Sequence, residues 1–144
     1  MKQLVNDCKN NFNGLKNKTV LDIGCNDGSL LNIFKKYKCT TIGIEPTNAS
    51  KEAKKNGHHI YQGYIDNKII KKIKKKFKKI DIITFTNVFA HIENLGALIS
   101  NVKKIVNDET LLVIENHYLG SVIEKNQFDT FYHEHPRTYS FRSF

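Results

Sequence analysis

The chain of 144 residues has little of what marks several specialised classes of protein. It contains only two prolines and eight glycines, and no repeat or low-complexity linker divides it. No apolar run reaches the roughly 20 residues that a membrane-spanning helix needs. These absences exclude a collagen-like or a disordered chain. With 40% hydrophobic residues, the sequence predicts one domain, residues 1–144, that buries its own core.

Cysteine is also scarce. Cys8, Cys25 and Cys39 are odd in number and form no Cys-x-x-Cys pair, so they do not indicate a disulfide framework. The amino terminus shows no signal-like segment. We therefore expect a protein of the reducing cytoplasm, with no membrane partner.

Arginine is nearly absent from a basic chain. The formal net charge is +9, yet only 2 arginines accompany 21 lysines, and 16 asparagines accompany the lysines. This pairing indicates a bias of composition more than a designed anion site. We expect no nucleic acid among the partners.

One stretch organises the rest of the chain, residues 19–31, with the sequence T-V-L-D-I-G-C-N-D-G-S-L-L. An apolar run stops at Gly24 and an amphipathic segment opens at Gly28, which predicts a strand, a tight turn and a helix. A glycine at position 24 adopts unusual backbone angles and lets a ligand lie against the chain, while Asn26 and Asp27 tolerate tight turns. The turn is therefore predicted to hold a nucleotide-like ligand at the carboxyl end of the strand.

Strands and helices alternate after a leading helix or arm at residues 1–17. The predicted strands cover roughly residues 18–23, 40–45, 58–61, 80–85 and 111–115, and the predicted helices roughly 28–37, 47–56, 65–77 and 94–106. Such alternation predicts an α/β, Rossmann-like fold, with a mostly parallel sheet, helices on both faces and ligands at the carboxyl ends of the strands. Residues 116–144 form a substrate-side segment without a clear strand.

Local signals set some finer expectations. Thr47 is predicted to cap the helix after the second strand, and Gly57 to follow its carboxyl end. The lysines around Ile69, Ile70 and Ile73 are predicted to form a solvated helix face. His58 and His59 are expected to be structural or exposed. The carboxyl-terminal aromatic residues are expected to pack onto the sheet: Phe128, Phe131, Tyr139, Phe141 and Phe144.

The glycine turn is compatible with two kinds of nucleotide-like ligand, of which the first is a dinucleotide. A dinucleotide fingerprint, G-x-G-x-x-G, requires glycines where this chain has Asn26 and Ser29, because the pyrophosphate and the helix must approach the backbone closely there. That mismatch weakens the interpretation as a dehydrogenase.

The pattern D-x-G-x-x-x-G at Asp22, Gly24 and Gly28, followed by Glu45 at the end of the second strand, instead resembles class I S-adenosylmethionine (SAM) methyltransferases. The resemblance implies that the glycine turn lies along the methionine portion of SAM and that Glu45 accepts hydrogen bonds from the two ribose hydroxyls. A carboxylate suits that role because it accepts two hydrogen bonds and favours a nearby cationic sulfonium.

The resemblance and the positions at strand ends imply a set of cofactor-binding residues and no metal ligand. The set comprises Asp22, Gly24, Asn26, Gly28, Glu45, Pro46, Gly63, Tyr64 and Asn87.

Three later blocks resemble the sugar C-methyltransferases, which methylate a carbon of a nucleotide-linked keto-deoxysugar. The blocks are residues 87–93 (N-V-F-A-H-I-E), 113–119 (V-I-E-N-H-Y-L) and 128–135 (F-D-T-F-Y-H-E-H). They occur in order and at plausible spacing. The resemblance implies a small-molecule acceptor of that class.

By this resemblance, Tyr132, Glu134 and His135 match the Tyr-x-Glu-His active-site block of that family, and His91 matches a histidine after its fourth strand. Methylating a carbon beside a ketone requires a base that titrates near neutral pH, which makes His135 the candidate base, oriented or charged by Glu134. Tyr132 or His91 would donate a hydrogen bond to the developing enolate oxygen. A metal pair of His133 and His135 with His117 is a weaker alternative.

The chain also departs from that family, whose members usually carry an amino-terminal zinc-binding cysteine module and a further carboxyl-terminal portion. We expect a sheet truncated after the fifth strand, whose edge is covered by a homo-oligomer or by a missing segment. Three other functions remain open: a small-molecule O- or N-methyltransferase, a truncated non-catalytic SAM-binding module and, ranked last, a nucleic-acid methyltransferase.

Overall fold

The computed structural model describes residues 1–127 and 137–143. Within these residues, helices and strands alternate as the sequence predicts. In chain order the elements are α1 (Lys2–Asn11), β1 (Thr19–Ile23), α2 (Ser29–Lys36), β2 (Thr40–Glu45), α3 (Ser50–Lys55), β3 (His59–Gln62), α4 (Asn67–Lys76), β4 (Ile82–Thr86), a short 3-10 helix (Phe89–His91), α5 (Leu95–Val102), β5 (Leu111–Glu115) and α6 (Leu119–Glu124).

The five strands form one parallel sheet in the order β3-β2-β1-β4-β5. Asp22 in the central strand β1 lies beside Gly43 of β2 and Thr84 of β4. Because all strands run the same way, their carboxyl ends meet at one edge, which we call the carboxyl edge. This architecture confirms the predicted α/β fold.

The core has two apolar clusters, which use alternate residues of the strands. One cluster contains Leu21 together with Ile73 of α4, and the other contains Val20 together with Phe34 of α2. Alternate side chains of a strand point to opposite faces, so helices cover both faces of the sheet. Phe34 is fully buried, and burying a side chain of that size contributes roughly 1.5–3 kcal/mol.

Helix α4 buries its isoleucines, while its lysines are exposed, which confirms the predicted solvated face. Its amino terminus is capped by Asp66, whose carboxylate accepts a hydrogen bond of 2.7 Å from the backbone N–H of Ile69. Such a cap satisfies one of the unpaired N–H groups in the first helical turn.

One local prediction is wrong, and one helix was not predicted. Helix α3 begins at Ser50 and not at Thr47, because Thr47 is part of a turn in which its hydroxyl accepts from the N–H of Ala49 (3.2 Å) and its carbonyl from that of Ser50 (3.3 Å). Helix α6 is an element that the sequence pattern does not predict. Gly57 follows α3 in the left-handed region (φ +81°), as expected.

The carboxyl-terminal aromatics behave differently from one another. Tyr139 packs against Phe89, with ring centroids 5.8 Å apart, whereas Phe141 is 89% exposed, so the expected packing of Phe141 is wrong. Phe128, Phe131 and Phe144 lie outside the described residues.

The edge strand β5 pairs only with β4 among the described residues, and its Leu112 is 45% exposed. In the same parts of the chain, no helix combines the length and the apolar character needed to cross a bilayer.

Candidate functional site

The glycine turn is held against the end of β2. The backbone N–H groups of Gly24 and Cys25 both donate to the carbonyl of Ile44, at 2.8 and 3.2 Å, and the N–H of Gly28 donates to the carbonyl of Cys25 at 2.9 Å. Asn26 adopts a left-handed conformation with φ +49°, as its residue type allows. The turn is therefore fixed by its own backbone and by the neighbouring strand.

Gly24 adopts φ +77°, a conformation that favours glycine. A Cβ atom at this position would overlap a methyl group of Val88, which belongs to the loop after β4. The missing side chain therefore makes room for Val88. The space expected for a ligand at this point is filled by protein.

Gly28 stands against a buried histidine. Its φ is +83°, and a Cβ atom would lie 2.8 Å from Cδ2 of His58. The two ring nitrogens of His58 pair with the hydroxyl of Thr41 (2.8 Å) and with the side-chain oxygen of Asn32 (3.1 Å). Burial is the main cause that lowers the pKa of His58, so the ring is neutral near pH 7. Its two hydrogen bonds join α2 to β2. This confirms the structural role expected of His58.

Glu45 is a buried carboxylate at the end of β2. Its Oε2 accepts from the N–H of Asn26 at 3.0 Å, and its Oε1 accepts from the N–H of Thr47 at 2.8 Å. A carboxylate has about four acceptor positions, so each oxygen keeps capacity for one further donor. A ligand with two adjacent hydroxyls fits this donor and acceptor set, as the ribose of SAM does.

Asp22 lies beneath the turn and is only 3% exposed. The hydroxyl of Thr84 donates to its Oδ1 at 2.7 Å. The pKa of Asp22 is raised to about 7, chiefly by burial; the Thr84 hydrogen bond opposes the rise and the nearby charge of Glu45 adds to it. Asp22 therefore joins β1 to β4 and does not present its carboxyl group at the surface.

Other residues predicted from strand ends also lie at the carboxyl edge. The N–H of Gly63, after β3, donates to the carbonyl of Glu45 at 3.1 Å, and the adjacent Tyr64 is 80% exposed. Pro46 is half-buried directly after Glu45. After β4, Asn87 has φ +54°, and its N–H donates to the carbonyl of Glu115 at 2.8 Å.

The structure describes one of the four predicted catalytic residues. His91 is exposed at the end of the 3-10 helix that follows β4. Tyr132, Glu134 and His135 lie outside the described residues, as does His133 of the alternative metal pair. Within residues 1–127 and 137–143, no three His, Cys, Asp or Glu side chains form a group that could hold a metal ion.

The carboxyl edge also holds polar groups that sequence reasoning missed. The hydroxyl of Thr86 and both polar atoms of the Asn116 carboxamide are buried, with no hydrogen-bond partner among the described residues. Both residues stand at strand ends, Thr86 in β4 and Asn116 directly after β5. The only signal in the sequence is that position, a polar residue where a strand stops.

A cleft of about 500 Å³ opens at the opposite edge of the sheet, where Thr19 and Thr40 begin their strands. Lysines line it around Asp81, which already pairs with Lys18 at 3.3 Å and Lys79 at 3.4 Å. None of the described residues among the predicted site residues lines this cleft, so it is separate from the glycine turn and Glu45.

The sequence of the chain is similar to those of known methyltransferases. A family described as "Methyltransferase domain" matches residues 2–144. The chain is similar to the C-methyltransferase NovU of Streptomyces niveus, with 24% identity over 136 residues that make up 94% of this chain and 32% of NovU. The chain thus spans about a third of the length of that relative.

Solved structures share the fold. A SAM-dependent methyltransferase from Archaeoglobus fulgidus matches with a TM-score of 0.70 and 19% identity, over 99% of this chain and 64% of that one. One from Thiobacillus denitrificans, solved with S-adenosyl-L-homocysteine, matches with a TM-score of 0.54 and 12% identity, over 79% of this chain and 48% of that one. At such identities the likeness shows the fold alone.

Proposed function

The chain belongs to the methyltransferase domain family, and from that premise we propose that it binds SAM and transfers its methyl group to a small-molecule acceptor. The observation that carries the proposal is the buried carboxylate of Glu45. It ends the strand next to the glycine turn, binds the turn through the N–H of Asn26, and keeps acceptor capacity on both oxygens.

The residues at the carboxyl edge would divide the work of holding SAM. Glu45 would accept hydrogen bonds from the ribose hydroxyls, and the turn at 24–28 would lie along the methionine portion. Tyr64, which is largely exposed, offers a ring face to the adenine. Four further residues would shape this site through the backbone: Asp22, Pro46, Gly63 and Asn87. Gly63 has no side chain, and the side chain of Asp22 is buried.

For the acceptor we propose a nucleotide-linked keto-deoxysugar, methylated on carbon. The support is the order of the sequence blocks around His91, Asn116 and His135, together with the similarity to a C-methyltransferase. When bound, SAM supplies an electrophilic methyl group. His135 would remove the proton beside the ketone, Glu134 would orient it, and Tyr132 or His91 would donate a hydrogen bond to the ketone oxygen.

The test is a calorimetric titration of the purified chain with S-adenosylhomocysteine. Glu45→Ala should weaken binding at least about tenfold, since it removes the ribose acceptors and loosens Asn26. Glu52→Ala, which removes an exposed glutamate of α3, is the control and should bind as the wild type does. Equal binding by all three proteins, each shown to be folded, would refute the proposed site.

A second readout concerns the acceptor. Methyl transfer from labelled SAM to a thymidine-diphosphate-linked 4-keto-6-deoxyglucose should occur with the wild type and be lost in His135→Ala, while S-adenosylhomocysteine still binds. Binding without any transfer by the wild type would indicate a non-catalytic SAM-binding module.

A further inference from the structure

Buried polar side chains in this structure usually have partners. Thr84 donates to Asp22, Glu45 accepts two backbone N–H groups, and Asn101 donates to the carbonyl of Ile65 at 3.2 Å. Asn116 departs from this pattern, because its carboxamide oxygen and nitrogen are both buried and neither makes a hydrogen bond within residues 1–127 and 137–143. A buried polar group without a partner is unfavourable and rare in folded proteins, so it requires an explanation.

The position of Asn116 suggests why its polar atoms lack partners. It follows β5 directly, at the carboxyl edge that also carries the glycine turn and Glu45. Thr86, whose hydroxyl also lacks a partner, ends the neighbouring strand in register with Glu115. Unpartnered polar atoms at the ends of two adjacent strands indicate a place where a ligand supplies the missing bonds. Asn116 as a whole is only half-buried, which leaves it at the surface of this edge.

The chemistry of the side chain limits the ligand. A carboxamide presents one acceptor oxygen beside two N–H donors and carries no charge. It therefore suits a neutral group with a donor and an acceptor side by side, such as a hydroxyl next to a carbonyl. An adjacent hydroxyl and ketone occur together on the ring of a keto-sugar, whereas a phosphate offers acceptors only.

Building on the function proposed above, we infer that Asn116 recognises the acceptor: its oxygen accepts from a ring hydroxyl and its nitrogen donates to the neighbouring carbonyl. A site with polar groups that only the correct ligand can satisfy discriminates strongly against analogues that lack the matching group. Asn116 is thus a specificity-determining residue on the acceptor side, separate from the SAM-binding residues.

The first experiment needs no ligand. Asn116→Leu removes two unsatisfied polar atoms and should raise the melting temperature by about 3–6 °C. Asn101→Leu is the matched control, since Asn101 is buried and bonded to Ile65 and Lys104, and it should lower the melting temperature. A fall in both variants would show that Asn116 has structural partners and would overturn the inference.

The second experiment measures binding of two probes to wild type and Asn116→Leu. Affinity for S-adenosylhomocysteine should stay within about twofold, whereas affinity for the thymidine-diphosphate-linked 4-keto-6-deoxyglucose should fall at least about tenfold. Asn116→Ala removes the same polar atoms without adding bulk and should give the same loss. Unchanged keto-sugar binding in both variants would overturn the role of Asn116 alone.

The two proposals fail in different ways. If the wild type binds S-adenosylhomocysteine but not the keto-sugar, the acceptor class proposed above is wrong and the role of Asn116 falls with it. If the wild type binds both probes and the Asn116 variants bind them equally well, the function stands and only this inference is lost.

Discussion

Two acidic residues show how the environment of single side chains shapes the candidate site. Glu45 accepts hydrogen bonds from two backbone N–H groups, and each of its oxygens keeps capacity for a further donor. Asp22, on the next strand, is enclosed by the core and receives a hydroxyl from Thr84. Burial is the main cause that raises the pKa of Asp22 to about 7.

The raised pKa of Asp22 predicts a pH-dependent stability. The folded state holds the Asp22 proton more tightly than the unfolded state, whose pKa is near the model-peptide value of about 3.9. The stabilisation is complete below about pH 4 and is lost as the pH rises through about 7. Relative to Asp22→Asn, which does not titrate, the wild type should therefore lose about 2–3 kcal/mol of unfolding free energy between pH 5 and pH 8.

Urea unfolding of both proteins at pH 5, 6, 7 and 8 measures this difference. Asp27→Asn is the control, because the hydrogen bonds from Ser29 lower the pKa of the exposed Asp27 carboxyl, and its contribution is already constant above pH 5. A difference between wild type and Asp22→Asn that stays constant over this range would contradict the assignment of a neutral buried carboxyl group.

At the scale of elements, the turn after β1 and the loop after β4 pack directly on each other. Val88 occupies the place where a side chain of residue 24 would stand. This contact joins the two segments that flank the candidate SAM site. A substitution in either segment should therefore change the contribution of the other segment to the stability of the fold.

Gly24→Ala should destabilise the fold by roughly 2–4 kcal/mol, since it adds a clash with Val88 to the strain of a left-handed alanine. Val88→Ala in the same protein should recover the part due to the clash, and about 1–2 kcal/mol should remain from the backbone. Denaturant unfolding of both single variants and the double variant measures the coupling. If Val88→Ala recovers nothing, the contact does not explain why residue 24 is glycine.

Strands and helices were predictable from the sequence where a short run of neighbouring residues determines them. The parallel strands appear in the sequence as short apolar runs that end at glycine, proline or asparagine, and β2 and β5 have the predicted bounds. Short helices were less predictable, because α3 and α6 have six residues each and depend on packing more than on propensity. Thr47 shows the ambiguity, since a threonine that can cap a helix can equally close a turn.

The same limit applies to the site. The positions of Asp22, Glu45 and Asn87 at the carboxyl edge were predictable because strand ends are visible in the sequence. The filling of the Gly24 position by Val88, and the lack of partners at Asn116, depend on contacts between segments far apart in the chain. No local pattern encodes such contacts.

For the whole molecule, the carboxyl-terminal segment 137–143 returns to the loop after β4. The N–H of Leu119 donates to the carbonyl of Tyr139 at 2.9 Å, and the Tyr139 ring packs against Phe89. Arg137 donates hydrogen bonds to the carbonyls of Ile92 and Glu93. This segment thus fastens the loop that carries His91, about 45 residues earlier in the chain.

The chain has two arginines. Among the described residues Arg137 makes such hydrogen bonds and Arg142 does not, which allows a matched comparison. Arg137→Ala should lower the unfolding free energy by about 1–2 kcal/mol, because two charge-assisted hydrogen bonds of a half-buried side chain are lost. Arg142→Ala, at an exposed position, should change it by less than about 0.5 kcal/mol.

Hydrogen exchange localises the effect of Arg137. The N–H of His91 donates to the carbonyl of Val88 at 3.0 Å, and its exchange should speed up in Arg137→Ala if the loop opens when the arginine is lost. Exchange in the strand β1 should change only with global stability, because β1 opens with the core. Equal exchange at His91 in both arginine variants would mean that the guanidinium does not hold the loop.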